Sequence, residues 1–404
     1  MERTAKKYVV VLFDGMADYP DEKGNTPMKE AYKPFSDALA AKAETGLCQT
    51  VPDGMKPGSD VANLSVMGYA PERYYTGRSP LEALSIGVKM GPEDVSYRCN
   101  LVTLSETEDY ENKIMTDYSA GEITTQEAHE LIAFLSERLP LDGAELYGGV
   151  SYRHCLLLKN AVTGAILTPP HDISDRKITE YLPEGEHAES FLKIMKKSYE
   201  LLKDHPVNLK RRERGLNPAN SVWLWGEGRK PALDDFYHKH GLKGAVISAV
   251  DLIKGIGIAA GMEVIDVQGA TGTIKSNFDG KAEAAINALK KNDFVYIHLE
   301  APDECGHQGN YAEKKLAIEL IDRKIVGPVL RYLESQKTPF KIAILPDHAT
   351  PVVKKTHVSD PVPYLIYDSE HPYESGVKVF DEENAAKAGV FTESGVAFME
   401  KLLA

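Results

Sequence analysis

Cysteine is scarce in this 404-residue chain: four residues, at positions 48, 99, 155 and 305. None is spaced as C-x-x-C, so a disulfide framework and a cysteine zinc site are excluded and reduced thiols are expected. Long apolar runs are also missing. Residues 8–13 follow a charged start and stop at Asp14, too short for a secretory signal core, and no later stretch nears the ~20 apolar residues of a membrane helix. A cytoplasmic protein is the expectation. Basic residues are outnumbered, 47 Lys and Arg against 60 Asp and Glu for a net charge of −13, which argues against a broad nucleic-acid surface. A G-x-x-x-x-G-K-[ST] loop is absent, since the nearest glycine-rich piece, residues 54–59, has no lysine before its serine.

With 43% hydrophobic and 26% charged residues, the chain can build one large core together with a second domain. Both ends read as alternating β and α units whose wholly apolar strands fit an α/β fold with a largely parallel sheet covered by helices. Strands are expected at 8–13, 294–299 and 340–345, and helices near 34–44, 281–291, 312–335 and 393–403. Residues 92–230 change character, alternating strand-like pieces at 100–104 and 154–159 with polar helices near 125–138 and 187–203. They read as an inserted α+β domain between core segments 1–91 and 231–404, with candidate hinges at Gly91-Pro92 and at residues 226–231.

The expected strands end on chemistry: Asp14-Gly15, then Glu300-Ala301-Pro302-Asp303, then Pro346-Asp347-His348. Ligands of open α/β sheets bind beyond the carboxyl ends of strands, so residues distant in sequence can meet there. Asp303 and His307 lie four apart, close enough to grip one ion. Asp347 and His348 are adjacent on a strand tip and point to opposite sides, and His357 can return from the following loop. Each aspartate or histidine taken singly has a bland reading as a turn or loop residue; together they offer hard and borderline ligands for two divalent ions. Ser59, in Pro57-Gly58-Ser59-Asp60, opens a short helix stopped at Gly68, where free N–H groups and the dipole favour an alkoxide or a phosphate. Arg78, at the edge of the core before the hinge, and Arg153, His154, His171 and Asp172 in the middle segment are candidates for gripping a carboxylate and moving protons. The run Lys210-Arg211-Arg212-Glu213-Arg214 reads as a solvated face, and Trp223-Leu224-Trp225 as packing.

Phe13-Asp14-Gly15-Met16-Ala17-Asp18, Gly58 through Ser65, Tyr75 through Ala83, Ser151-Tyr152-Arg153-His154, Pro218 through Gly228, Glu300 through His307 and Pro346-Asp347-His348 together resemble the archaeal-type cofactor-independent phosphoglycerate mutases of the alkaline phosphatase superfamily. The resemblance implies a phosphatase-like core with an inserted substrate-binding domain. It implies two divalent ions, commonly manganese with magnesium, cobalt or zinc as alternatives, and no bisphosphoglycerate. Asp303, His307 and His357 would hold one ion; Asp14, Ser59, Asp347 and His348 the other. Ser59 would be the nucleophile, and Lys254 would neutralise the phosphoryl group in transit. The implied reaction interconverts 3-phosphoglycerate and 2-phosphoglycerate through a phosphoserine, so a small phosphorylated molecule is the expected partner. A phosphatase or a homoserine kinase-like phosphotransferase of the same superfamily would use the same centre, and a non-catalytic relative would be marked by lost ligands. The oligomeric state stays open.

Overall fold

The computed structural model describes residues 6–106 and 109–404; the charged start of the sequence at residues 1–5 lies outside them. The chain divides into two compact units, Met1–Tyr75 with Leu233–Ala404, and Thr76–Ala232. Residues 76–91, expected to close the first core segment, are thus in the second unit. There the Ser79–Ser85 helix packs on the strands Val95–Leu104 and Ser221–Arg229.

The first unit is built on an eight-stranded sheet. Lys7–Phe13 lies at its centre, parallel to Phe294–Leu299 on one side and Phe340–Leu345 on the other. Gly244–Ile247 and Glu263–Ile265 extend the parallel part. Val362–Asp368 joins antiparallel to Phe340–Leu345, then Glu44–Cys48, with Val390–Thr392 at the edge. Every side chain of Phe294–Leu299 and Phe340–Leu345 is buried, as a sheet with both faces covered requires.

Two of the expected helices differ. Residues 34–44 form a helix only over Pro34–Ala40, because Glu44–Cys48 is drawn into strand pairing on both sides. Residues 312–335 form two helices, Tyr311–Ile321 and Gly327–Ser335, joined by a π-helical turn at Asp322–Val326. Pro328 has no N–H to bond one turn back, which favours a register change here. The turn carries the buried carboxylate of Asp322, which accepts the N–H groups of Phe35 (3.1 Å) and Ser36 (2.8 Å) and the Ser36 hydroxyl (2.6 Å).

The second unit is α+β. Val95–Leu104 is flanked by Arg153–Leu158 and Ser221–Arg229, both antiparallel, with Thr125–Ser136 and Ala188–Leu202 supplying apolar helix faces. The expected hinge at residues 226–231 is largely strand: Ser221–Arg229 stays paired to Val95–Leu104, and its irregularity is a register shift between Ser96 and Arg98 beside Gly226 at φ +66°. Arg211, expected on a solvated face, is buried. Its guanidinium bonds the carbonyls of Ala120 (2.6 Å) and Asn217 (2.9 Å) and pairs with Glu127 (2.6 Å). Among the described residues no helix is long and apolar enough to cross a membrane.

One buried ion pair ties the first unit's loops together. Lys314 Nζ, fully buried, donates to Asp18 Oδ2 (2.7 Å) and to the carbonyls of Thr350 (2.8 Å) and Ala17 (3.1 Å). Asp18 in turn accepts the N–H of Val352. Replacing Lys314 by Met strands a buried carboxylate and is expected to cost about 3–5 kcal/mol by denaturant unfolding, with Asp18→Asn added to it restoring part of the loss.

Candidate functional site

The carboxyl ends of the three central strands deliver the site. Asp14 follows Lys7–Phe13 and hands its N–H to Leu299 O (3.0 Å). The next residue has to turn sharply: Gly15 sits at φ +62°, and a Cβ there would lie 2.6 Å from both Asp303 Oδ1 and Thr350 Oγ1. Only glycine meets both demands. Asp303 and His307 lie one turn apart on the helix Ala301–Gln308, as their spacing predicts. Asp347 and His348 follow Phe340–Leu345 directly. His357 returns from its loop because bridges pair Ala349 with Val358 and with Met16 and Ala17.

These side chains converge. His307 Nε2 is 3.2 Å from Asp303 Oδ2, and His357 Nε2 is 3.4 Å from Asp303 Oδ1. The two imidazole nitrogens face each other at 2.9 Å, a contact that needs a proton or a cation between them. His348 Nε2 is 3.1 Å from Ser59 Oγ, 3.4 Å from Asp347 Oδ2 and 3.6 Å from Asp14 Oδ1. Asp303, His348 and His357 each offer one ligand atom within 4.8 Å of the others, and so do Asp14, Asp347 and His348. His348 therefore belongs to both groups and His307 to neither, where the resemblance put His348 with Asp14 and Asp347 alone and His307 with Asp303 and His357.

Ser59 is the first residue of the helix Ser59–Val66, capped by Gly58. Its hydroxyl thus sits among the first-turn N–H groups. Asn63, one turn on, donates to Asp347 Oδ2 (2.7 Å) and accepts from Tyr296 O–H (2.6 Å). Asp347 Oδ1 accepts the N–H groups of His348 (2.9 Å) and Gly15 (3.2 Å), and the Thr350 hydroxyl donates to Asp303 Oδ1.

The electrostatics follow from placing three carboxylates here with almost no solvent. Asp14 is 2% and Asp347 0% exposed. Burial, then the charges of Asp347 and Asp303, push the Asp14 carboxyl well above the usual carboxylate range. Burial opposes ionisation of Asp303 too, but hydrogen bonds from His307 and His357 outweigh it and hold that carboxyl well below the usual range. The same bond raises His307 to about 9. Burial lowers His348. Asp14 Oδ1 is buried without a hydrogen-bond partner. An unpaired carboxylate oxygen facing a mixed Asp and His donor set fits a divalent cation.

Sequence reasoning passed over His298, which is fully buried on Phe294–Leu299 with Nε2 2.9 Å from Asp14 Oδ2. Burial lowers its imidazole to about 3. It also passed over Asn63, Thr350 and Lys281, whose Nζ donates to His298 O (3.0 Å) and is pushed down to about 8 by burial. A polar residue within a wholly apolar strand was the signal for His298. Lys254 is on the helix Asp251–Ala259, with Nζ 2.6 Å from Asp266 and 4.0 Å from Asp251.

In the second unit, Arg78 Nε pairs with Glu82 (3.0 Å), which also holds Arg98 (2.8 Å). Arg98 was not foreseen; its guanidinium stacks 4.0 Å over Trp225. His171 lies edge-on to Trp225 and to Tyr118, with Asp172 3.6 Å away. Arg153 is exposed near Tyr152. His154, next along its strand, points the other way into the core, where Nδ1 accepts Gly149 N–H (3.0 Å) and burial lowers the ring to about 3.

The profile of the family described as 2,3-bisphosphoglycerate-independent phosphoglycerate mutase matches residues 40–208. The protein of that name from Methanosarcina mazei is 49% identical over 381 residues, 94% of each chain. Its namesake from Methanothrix thermoacetophila is 48% identical over 400 residues, 98% of this chain and all of its own. This chain belongs to that family. Among solved structures, a Pyrococcus horikoshii protein superimposes with a TM-score of 0.81 at 29% identity, over 99% of this chain and 97% of that one. The cofactor-independent phosphoglycerate mutase of Thermoplasma acidophilum gives 0.67 at 26% identity, over 99% and 100%.

Gly15→Ala is expected to combine the left-handed strain, about 1–2 kcal/mol, with a collision worth a further ~1–3 kcal/mol. Gly24→Ala, at φ +76° with open space around it, isolates the strain alone. Urea unfolding of the two variants should differ by the collision, and only Gly15→Ala should lose catalytic turnover.

Proposed function

We propose that this enzyme interconverts 3-phosphoglycerate and 2-phosphoglycerate in the cytoplasm through a phosphoserine at Ser59, without bisphosphoglycerate. The observation that carries the reading is the convergence of Ser59 Oγ, 3.1 Å from His348 Nε2, with two overlapping groups of Asp and His ligand atoms, all buried but the half-buried His357. Family membership narrows the substrate to a phosphoglycerate.

Asp303, His307 and His357 would hold one divalent cation and Asp14, Asp347 and His348 the other, with Ser59 at the second; manganese suits the mixed oxygen and nitrogen donors, as do zinc, cobalt and magnesium. When bound, the ions lower the pKa of the serine hydroxyl and neutralise phosphoryl oxygens. Ser59 Oγ, its proton lost to solvent, attacks phosphorus; the bond from phosphorus to the glycerate oxygen breaks, and that oxygen takes up a proton to become a glycerate hydroxyl. The first-turn N–H groups of Ser59–Val66 favour the dianionic phosphoserine. Asn63 and Tyr296 fix Asp347, so the ligand frame does not reorganise as charge moves. Lys254 supplies positive charge to the transferring group on this reading, and would exchange its surface partner Asp266 for it.

Glycerate then presents its other hydroxyl and takes the phosphoryl group back. It has to be retained and water excluded, or the outcome is hydrolysis. Arg78 and Arg153 suit that task by bidentate binding of the carboxylate, and His171 with Asp172 suits proton transfer. His154, buried in the core, takes no part in that task.

Purified protein with manganese should convert 3-phosphoglycerate to 2-phosphoglycerate with no ATP and no bisphosphoglycerate, and Ser59→Ala should lose more than about 10³-fold in kcat. Release of inorganic phosphate in place of isomer, or an absolute need for ATP, would overturn the reading. Metal uptake should also be pH-dependent. His307 in the metal-free protein, raised to about 9, stabilises the fold fully below the ordinary imidazole value of about 6.5 and loses that contribution as pH rises through about 9. A cation needs the neutral ring, so manganese affinity should climb between those limits and binding at pH 7 should release protons. Calorimetry in buffers of different ionisation enthalpy measures both.

A further inference from the structure

Direct ligation does not explain His298: it approaches Asp14 at Oδ2 (2.9 Å), while His348, which shares a ligand group with Asp14 and Asp347, lies on the side of the other oxygen, Oδ1 (3.6 Å). Packing does not explain it either. An apolar residue would fill this strand position as well, whereas a buried imidazole with Nε2 lacking any aligned hydrogen bond costs about 1–3 kcal/mol.

The sheet register puts three groups in a row. Ile247 pairs with Ile297 and Leu12 with His298, so Ser248, His298 and Asp14 come off the tips of three adjacent parallel strands. Ser248 Oγ is 3.2 Å from His298 Nδ1, and His298 Nε2 is 2.9 Å from Asp14 Oδ2. Val250 N–H donates to Ser248 Oγ (2.9 Å), and the oxygen keeps a second lone pair, so the carboxylate decides the tautomer: a proton on Nε2 faces Asp14 Oδ2, and the serine hydroxyl then donates to Nδ1. Lys281 Nζ, bonded to His298 O, fixes the backbone beneath the ring.

We infer that Ser248 and His298 form a positioning relay which fixes the Asp14 carboxylate from behind, aiming its other oxygen into the cation site. This rests on the two-cation reading above. Outer-shell partners of a metal site are worth about 10–100-fold in metal affinity; the relay assigns that role to Ser248 and His298, with the 2.9 Å approach of Nε2 to Asp14 Oδ2 aligning into a hydrogen bond when a cation draws the carboxylate into place.

The test is a calorimetric manganese titration of metal-stripped full-length protein, with two equivalents expected for the wild type. His298→Leu should weaken one equivalent about 10–100-fold and leave the other in place. His298→Gln, whose amide nitrogen can reach the Nε2 position, should restore most of the loss, which a purely space-filling role would not produce. Ser248→Ala should weaken the same equivalent, and nitrogen-15 spectra of the His298 ring should change from a single Nε2-protonated tautomer to a mixture. Wild-type affinity for both equivalents in His298→Leu, or equal losses in the Leu and Gln variants, overturns the relay. If His298→Leu does not fold, Ser248→Ala decides: unchanged affinity and unchanged ring spectra overturn the relay. A wild type that binds fewer than two equivalents overturns the two-cation reading and the relay with it, and is distinguished because the failure precedes any substitution.

Discussion

Three carboxylates crowded behind a closed surface are the constraint on which this unit's architecture turns. Asp14, Asp303 and Asp347 leave the ends of neighbouring strands or the helix that follows one, and they repel one another in a medium too dry to screen them. In the metal-free chain protons absorb that repulsion: Asp14 resists ionisation and His307 holds a proton far above the ordinary imidazole range. Cations would replace those protons, and the surroundings are built to keep the cluster intact through the exchange. Gly15 lets the backbone pass within contact of Asp303 and Thr350. Lys314 and Asp18 bind the loops on either side, and Asn63 carries the frame on to the helix that bears Ser59.

Such a cluster is legible in sequence because its members break a rule. A strand of uninterrupted apolar residues ending on Asp or His announces a polar group where none should be stable alone, and the tips at Asp14, Asp303 and Asp347-His348 do so. The same apolar logic located Phe294–Leu299 and Phe340–Leu345 to the residue. It failed where the deciding partner lies across the sheet. His298, inside a strand that otherwise reads as core, acquires meaning only from the register that sets it between Ser248 and Asp14. Arg211 looked like surface charge until Glu127 and two carbonyls closed over it. Glycine at 226 suggested a hinge, yet its left-handed turn accommodates a register shift within a continuous strand. In each case local composition was ambiguous and non-local pairing settled the outcome.

The first unit's residues do not by themselves separate transfer from hydrolysis, since a serine hydroxyl beside two candidate cation sites would serve either. The distinction has to come from groups that keep an anionic acceptor in place. In the second unit Arg78, Arg98 and Arg153 lie near enough to influence one another's charge or that of His171. Glu82 is shared by Arg78 and Arg98, and one carboxylate balances one guanidinium. Asp172, beside His171, brings a second negative charge. In a chain of net charge −13 neighbouring guanidiniums stand out from the general field, and holding them together costs desolvation at Arg98, whose side chain is nearly buried. Stacking on Trp225 offsets part of that cost. On the proposed reading, such guanidiniums suit retention of a carboxylate between two phosphoryl transfers, which a hydrolase with water as its acceptor would not require.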